Sequence, residues 1–178
     1  MYFRNRLGGA LLLALVSVFA VSTLVSTPTV SAADSQAENK GPYGYWKNVD
    51  KKTGKPTSIF KVYDDNGKLA GKIVKVFPTP GEKYNPVCSD CDGDRKGKPK
   101  IGMVFFWNFV PAKGKARKWV DGKILNPDDG KVYGSEAELS EDGTKLDVYG
   151  YIRILIKIGG TSTWLRPTAK ELEGAEGV

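Results

Sequence analysis

The stretch LDVYGYIRILI, residues 146–156, decides the fold class. Leu146, Val148, Ile152, Ile154 and Ile156 share one parity, while Asp147, Tyr149, Tyr151 and Arg153 share the other. That period of two is the mark of a β-strand with one buried and one wet face. Gly150 falls on the inward parity, where a missing side chain permits the sharp bend or close approach that a barrel corner requires. Behind this segment, Glu141-Asp142-Gly143 reads as a hairpin turn, preceded by a weaker strand over 132–140 with Tyr133, Ala137 and Leu139 on one parity. Ahead of it, residues 161–168 read as the last strand, carrying Trp164-Leu165-Arg166. Toward the N-terminus the same reading gives strands at 116–125, 101–112, 69–77, 58–64 and 44–49. Asn66-Gly67 supplies a two-residue hairpin signal, and Asn126-Pro127-Asp128-Asp129-Gly130 a compact turn. Eight strands joined mostly by short turns predict an up-and-down antiparallel meander. Closure into a barrel removes its two unpaired edges and leaves an interior wide enough for side chains or one small ligand.

Composition narrows the function. The 178 residues hold 27 basic and 20 acidic side chains, two cysteines and no histidine. Ser-His-Asp and Cys-His nucleophile relays, histidine general bases and His-ligated zinc are therefore excluded. Arg4 and Arg6 precede an uncharged run from Ala10 to Val25, and Val30-Ser31-Ala32 has the small-x-small pattern of a signal peptidase site. A sixteen-residue run diluted by Ser17, Ser22 and Thr23 is short of the roughly 20 residues that span a bilayer. The expected organisation is a cleaved signal peptide over 1–32, a flexible leader over 33–42, a barrel domain over 43–169 and a tail over 170–178 that is either frayed or a single helical turn. Removing Arg4 and Arg6 lowers the formal charge from +7 to +5. An exported basic protein meets anionic lipid, glycan or small acidic ligands rather than nucleic acid. The expectation is a periplasmic or secreted monomer, with peripheral contact to the envelope.

Two resemblances rest on particular residues. Gly44-x-Trp46 at the start of the first strand, with Arg166 at the end of the last, resembles the lipocalin and wider calycin signature, in which an arginine covers a tryptophan at the closed end of the barrel. The first and last strands are neighbours in such a barrel, which lets guanidinium and indole stack as a structural pair. A longer set of motifs resembles the uncharacterised exported bacterial family DUF 2147. It comprises Trp46 with Asp50-Lys51-Lys52-Thr53-Gly54, residues 67–74 (GKLAGKIV), Cys88-Ser89-Asp90-Cys91-Asp92-Gly93-Asp94, residues 119–133 (WVDGKILNPDDGKVY), residues 146–151 and Thr163-Trp164-Leu165-Arg166. Asp121 departs from that family's pattern, which is closer to Gly-Gly there. The resemblance implies a shared fold and carries no mechanism.

Few residues carry chemistry. Cys88-x-x-Cys91 lies in a loop with no apolar helix after it, unlike a thioredoxin-type pair, and reads first as a structural disulfide. A thiol-disulfide or metal-handling role for the pair stays open as the alternative. Asp90, Asp92 and Asp94 have the spacing of half a calcium loop but lack the glycine and the twelfth-position Glu, so no metal or cofactor is expected. The acids Asp50, Asp94, Asp121 and Asp128 sit in turn-like segments, where carboxylates usually cap the chain, and no enzyme is expected. The meander gathers Lys51, Lys52, Lys55, Arg95, Lys96, Lys98, Lys100 and Lys157 at the end opposite Trp46, with Asp90, Asp92, Asp94, Asp128 and Asp129 among them. Lys113, Lys115, Arg117 and Lys118 fall at the other end. Strand 101–112 is apolar on both parities, and Met103, Phe105, Trp107 and Phe109 are the candidate lining of a cavity. The expected function is a non-enzymatic exported barrel binding a small hydrophobic or amphipathic, or anionic, ligand, or filling a structural role in the envelope.

Overall fold

The computed structural model describes residues 40–78 and 87–175; the expected signal peptide over 1–32 and most of the expected leader, 33–39, lie outside them. The chain forms a closed antiparallel barrel in simple sequence order, β1 (Gly44–Val49), β2 (Pro56–Asp65), β3 (Lys68–Val76), β4 (Val104–Pro111), β5 (Lys118–Leu125), β6 (Val132–Leu139), β7 (Lys145–Arg153) and β8 (Lys157–Leu165). This is the eight-stranded meander that the alternation predicts. The Asn66-Gly67 turn takes φ of 55° and 80°, placing Asp65 opposite Lys68 as a two-residue hairpin requires.

Strand β4 explains its own composition. Lys72 pairs with Val104 and Gly71 with Phe106, so Phe105 is an extra residue. Leu69 pairs with Phe109, which makes a second extra residue beside Asn108 at φ 65°. Each bulge resets the parity. Phe105, Phe106 and Phe109 are consequently all buried in the main core, although strict alternation would put Phe106 outside. A similar irregularity lies between Trp119 and Gly122, where Asp121 sits at φ 59°. That left-handed conformation is free of strain for glycine and tolerated by aspartate, which accounts for the departure at this position.

The barrel's lower end is sealed. The Arg166 guanidinium lies 3.6 Å from the centre of the fully buried Trp46 ring. Its Nη1 donates to the carbonyls of Tyr43 (2.9 Å) and Tyr45, its Nη2 to Gly41, and its Nε to Gly143 (3.3 Å). Trp46 Nε1 donates to the Pro42 carbonyl at 2.7 Å. The end of the leader is thereby laced across the base. Burial pushes the Arg166 pKa down to about 10, which leaves it cationic at neutral pH.

Beyond β8, Thr168 and Glu171 form a reciprocal capping box for a one-turn helix, α1 (Ala169–Leu172). Leu172 and Ala175 cover Ile59 and Val74 on the outer face of β2 and β3, and Glu171 pairs with Lys47 at 2.7 Å. The outer parity of these two strands is apolar because it lies beneath the tail.

One strand boundary differs from the alternation. Leu146 and Val148 are buried, but Ile152, Ile154 and Ile156 are 48%, 73% and 68% exposed. The chain reverses at Ile154–Ile156, with Arg153 opposite Lys157 and Ile152 opposite Ile158. The β6–β7 pairing runs from Leu139↔Leu146 to Gly134↔Tyr151, so the hairpin overshoots the rim of the barrel. An apolar turn carries none of the usual Gly, Pro, Asn or Asp signals, and its isoleucines continue the strand's parity without continuing into the core.

Candidate functional site

The end opposite Trp46 is hollow. A cavity of about 610 Å³ lies there, between the β1–β2, β3–β4 and β5–β6 connections. Its apolar wall includes Phe60, Ile73, Phe105, Ile124, Leu125 and Trp164, and its rim includes Asn48, Asp50, Thr57, Lys100 and Asp128. Phe60 and Phe105 are 4.4 Å apart between ring centres, and Trp164 packs on them at 4.7 and 5.7 Å. Beneath this aromatic floor, Phe106 also touches Trp164, and Phe106 and Phe109 stack at 3.7 Å and are completely buried. The cylinder is thus half filled and half open.

The four candidate lining residues separate. Phe105 stands on the cavity wall. Phe109 belongs to the packed half, and Met103 is buried in the core cluster that also contains both cysteines. Trp107 pairs with the exposed Lys123, and the Arg95 guanidinium covers its ring at 4.8 Å. The two bulges of β4 turn Trp107 to the outer face while leaving Phe105 inside. This corrects the simple parity that groups 103, 105, 107 and 109 together. Phe60 and Trp164, missed as lining residues, come from strands whose regular alternation looks like ordinary core. The signal that could have found Trp164 is its place two residues before Arg166, on a strand otherwise poor in apolar inward residues.

Cys88 and Cys91 form a disulfide, with Cα atoms 5.4 Å apart, and both are buried. Their loop is tied by the Cys88 amide to the Lys98 carbonyl at 2.9 Å and by the Gly97 amide to the Cys88 carbonyl at 2.8 Å. It leans on the β5–β6 turn: a Cβ added to Gly130 would lie 1.8 Å from the Asp90 carbonyl oxygen. Cys88 Sγ is 3.4 Å from the Pro127 carbonyl, a contact rather than a hydrogen bond because an oxidised sulfur has no proton to donate. The disulfide therefore closes a tight turn within the β3–β4 connection, and that turn packs against the β5–β6 turn. Among the described residues, no group of three or more cysteine, aspartate or glutamate side chains is placed to hold a metal ion.

Several charges at the mouth are committed to partners within the protein. Lys100, 8% exposed, donates to Asp128 Oδ1 at 2.8 Å. Asp50 accepts from the Thr53 hydroxyl and from the amides of Thr53 and Lys52, which hold its carboxyl below the usual range. Desolvation pushes Asp129 upward, but bonds from the Lys131 amide and the Tyr133 hydroxyl outweigh it and leave its pKa lowered. Lys51 reaches the Thr161 carbonyl at 3.0 Å, and Lys157 pairs with Glu136. At the other end Arg117 pairs with Glu141 at 3.0 Å, whereas Lys118 reaches Glu136 at 3.2 Å and so shares one carboxylate with Lys157 rather than standing at the opposite end from it. The basic side chains do not converge into one patch.

The seam between the first and last strands borders the cavity. β1 and β8 pair at Lys47↔Leu165. Farther up, side chains bridge the gap: Ser162 Oγ donates to Asn48 Oδ1 at 2.8 Å, and Asn48 Nδ2 donates to Thr57 Oγ1 at 3.1 Å. Asn48, Ser162 and Trp164 all face the cavity from this seam.

Comparison with known proteins agrees with this architecture. Helicobacter pylori protein HP1028, described as belonging to the lipocalin family, superposes with a TM-score of 0.59 at 20% identity, covering 75% of this chain and 88% of that one. No curated protein sequence matches the chain. A family model described as an uncharacterized protein conserved in bacteria (DUF2147) matches residues 44–166, from the first strand to the arginine over the closing indole, and the chain belongs to that family.

Proposed function

We propose that this is an exported, monomeric, non-enzymatic carrier that holds one small hydrophobic or amphipathic molecule in the open half of its barrel. The observation that carries the reading is the aromatic floor of Phe60, Phe105 and Trp164, with about 610 Å³ of space above it and a packed core below. A volume of that size lies within the range of small-molecule sites, and an eight-stranded barrel holds one such ligand when side chains do not fill it. Export is supported by the signal-like N-terminus, and the disulfide suits an oxidising compartment. The buried cysteines, bonded to each other within a loop that packs on the β5–β6 turn, favour a structural role over thiol exchange. The rim supports an uncharged head group more than an anionic one: Lys100 is already paired with Asp128, and Asp50 stands beside them. Asp50 and Asp128 act in this reading as loop cap and ion-pair partner, not as an acid/base pair.

The test uses three probes with one chain length: dodecanol, laurate and dodecylammonium. Trp164 forms the floor, so dodecanol should change tryptophan emission saturably, with laurate binding more weakly, and Trp164→Phe should remove most of the change. Native mass spectrometry should retain one dodecanol per chain. No saturable change with any probe, together with a bare apo mass, would overturn the carrier reading in favour of an envelope structural role.

A further inference from the structure

Among the described residues the β7–β8 hairpin has no counterpart. Ile154, Leu155 and Ile156 at its tip are 73%, 96% and 68% exposed, and Ile152 and Ile158 below them are about half exposed. The Ile152↔Ile158 and Arg153↔Lys157 pairs lie beyond the last β6–β7 pair, Gly134↔Tyr151, while β8 joins β1 at the far end of the strand, Lys47↔Leu165. At its tip the hairpin is a ribbon paired with itself. A protruding apolar ribbon in water invites edge-to-edge aggregation unless something covers it.

We propose that this hairpin docks the protein on an anionic phospholipid bilayer, with Ile154, Leu155 and Ile156 in the acyl boundary and Arg153 and Lys157 among the headgroups. Three observations favour lipid as the occupant. The tip carries three consecutive aliphatic side chains and no polar one, so its side chains offer no fixed hydrogen-bonding pattern to a shaped partner, while a fluid phase needs none. Arg153 and Lys157 face each other directly across the neck, an unfavourable like-charge pair in an isolated ribbon. Lys157 and Lys118 share Glu136, and Lys118 also reaches Glu138 at 3.7 Å, so the two carboxylates balance the two lysines and the charge of Arg153 is the surplus that anionic headgroups would satisfy. Lys and Arg at the neck of an apolar element are also the side chains that bury their stems while keeping their charges at the interface. Finally, the hairpin leaves the barrel at the cavity end, so docking turns the mouth toward the membrane. The inference stands whether or not the cavity carries a ligand.

Flotation with vesicles of phosphatidylcholine, with and without phosphatidylglycerol, tests it on the mature protein. Wild type should float with the anionic vesicles. I154S/L155S/I156S should lose about tenfold or more of that partitioning, because the apolar anchor is removed. R153Q/K157Q should lose the preference for phosphatidylglycerol while keeping weak binding. All three substituted tip positions are exposed, so the circular dichroism melt should not change; if it does, the single variant Leu155→Asn carries the test. Wild type that stays at the bottom of the gradient, or a triple variant that floats equally, overturns the proposal. Sedimentation distinguishes the competing occupant: a concentration-dependent dimer that the triple serine variant dissolves, without vesicle binding by wild type, identifies a second copy of this chain instead of lipid.

Discussion

The two ends of this barrel are made from the same strands and have opposite physical characters. At the closed end Trp46, Phe106 and Phe109 are sealed from water, and one arginine holds four carbonyls from two separate stretches of chain, 41–45 and Gly143. At the open end the aromatics have a face without partners, the β1–β8 seam is bridged by Asn48 and Ser162, and an apolar hairpin stands clear of its neighbours. Close packing and satisfied carbonyls are concentrated at one end, while the other keeps exposed apolar surface and unfilled volume. Such a division is general where binding and stability make conflicting demands on one fold.

Substitutions at matched residues should expose that division. Phe109→Ala empties a site with no room to relax and should cost about 4 kcal/mol, whereas Phe105→Ala widens a space that already exists and should cost about 2 kcal/mol or less. Urea denaturation of both variants checks the difference, and equal losses would mean that the cavity is closed in solution. Next in size is Arg166→Ala, which strands several carbonyls and uncovers the indole, with an expected loss of about 3 kcal/mol. Arg166→Lys should recover little of it, because an ammonium cannot present donors in a fork to carbonyls on separate segments.

These contrasts also show where the sequence was readable. The meander, the Asn66-Gly67 hairpin and the Trp46–Arg166 pair follow from alternation, turn chemistry and adjacency of the first and last strands, all local or topological signals. The cavity wall is less legible. Bulges at Phe105 and Asn108 shift parity within β4, and a bulge arises from pairing with β3, which β4 does not encode alone. Trp107 consequently lies outside and Phe106 inside. The tip at 154–156 fails for a complementary reason: an isoleucine presented to a core and one left exposed beyond the rim produce the same pattern. Lys100 was recognisable as a mouth cation, but its burial beside Asp128 depends on how the disulfide loop folds back.

The disulfide tests the open end directly. Replacing both Cys88 and Cys91 by serine removes a very short closed loop, for which the chain-entropy estimate is about 2 kcal/mol. Because that loop braces the β5–β6 turn rather than the packed core, the variant should melt lower while its closed-end signals stay native-like. Near-ultraviolet circular dichroism from buried aromatics checks this, and collapse of the whole spectrum would show that the two ends are not separable.

The smallest effect compares two turns built with the same chemistry. Asp142, at the closed end, accepts from the Ser140 hydroxyl at 2.6 Å and from the Thr144 amide and hydroxyl, which pull its pKa to about 2 from an ordinary 3.8. Asp50, at the open end, is lowered by the corresponding bonds from Thr53 and Lys52. A carboxyl whose pKa is depressed on folding contributes stability that is complete above its unfolded value and is lost as pH falls through its folded value. For Asp142 the window therefore runs from about pH 4 down to about pH 2. Asn retains an acceptor oxygen but does not titrate, so Asp142→Asn should flatten the fall in melting temperature across that window. Asp50→Asn should flatten it less, since its bonds stabilise a solvent-facing turn outside the sealed base. Melting curves at half-unit pH steps decide the order; an unchanged acid limb in Asp142→Asn would place the acid sensitivity elsewhere, with Glu171 next in line. Desolvation pushes that carboxyl upward, but bonds from Lys47 and Thr168 outweigh it and leave its pKa lowered, and it ties the tail to β1.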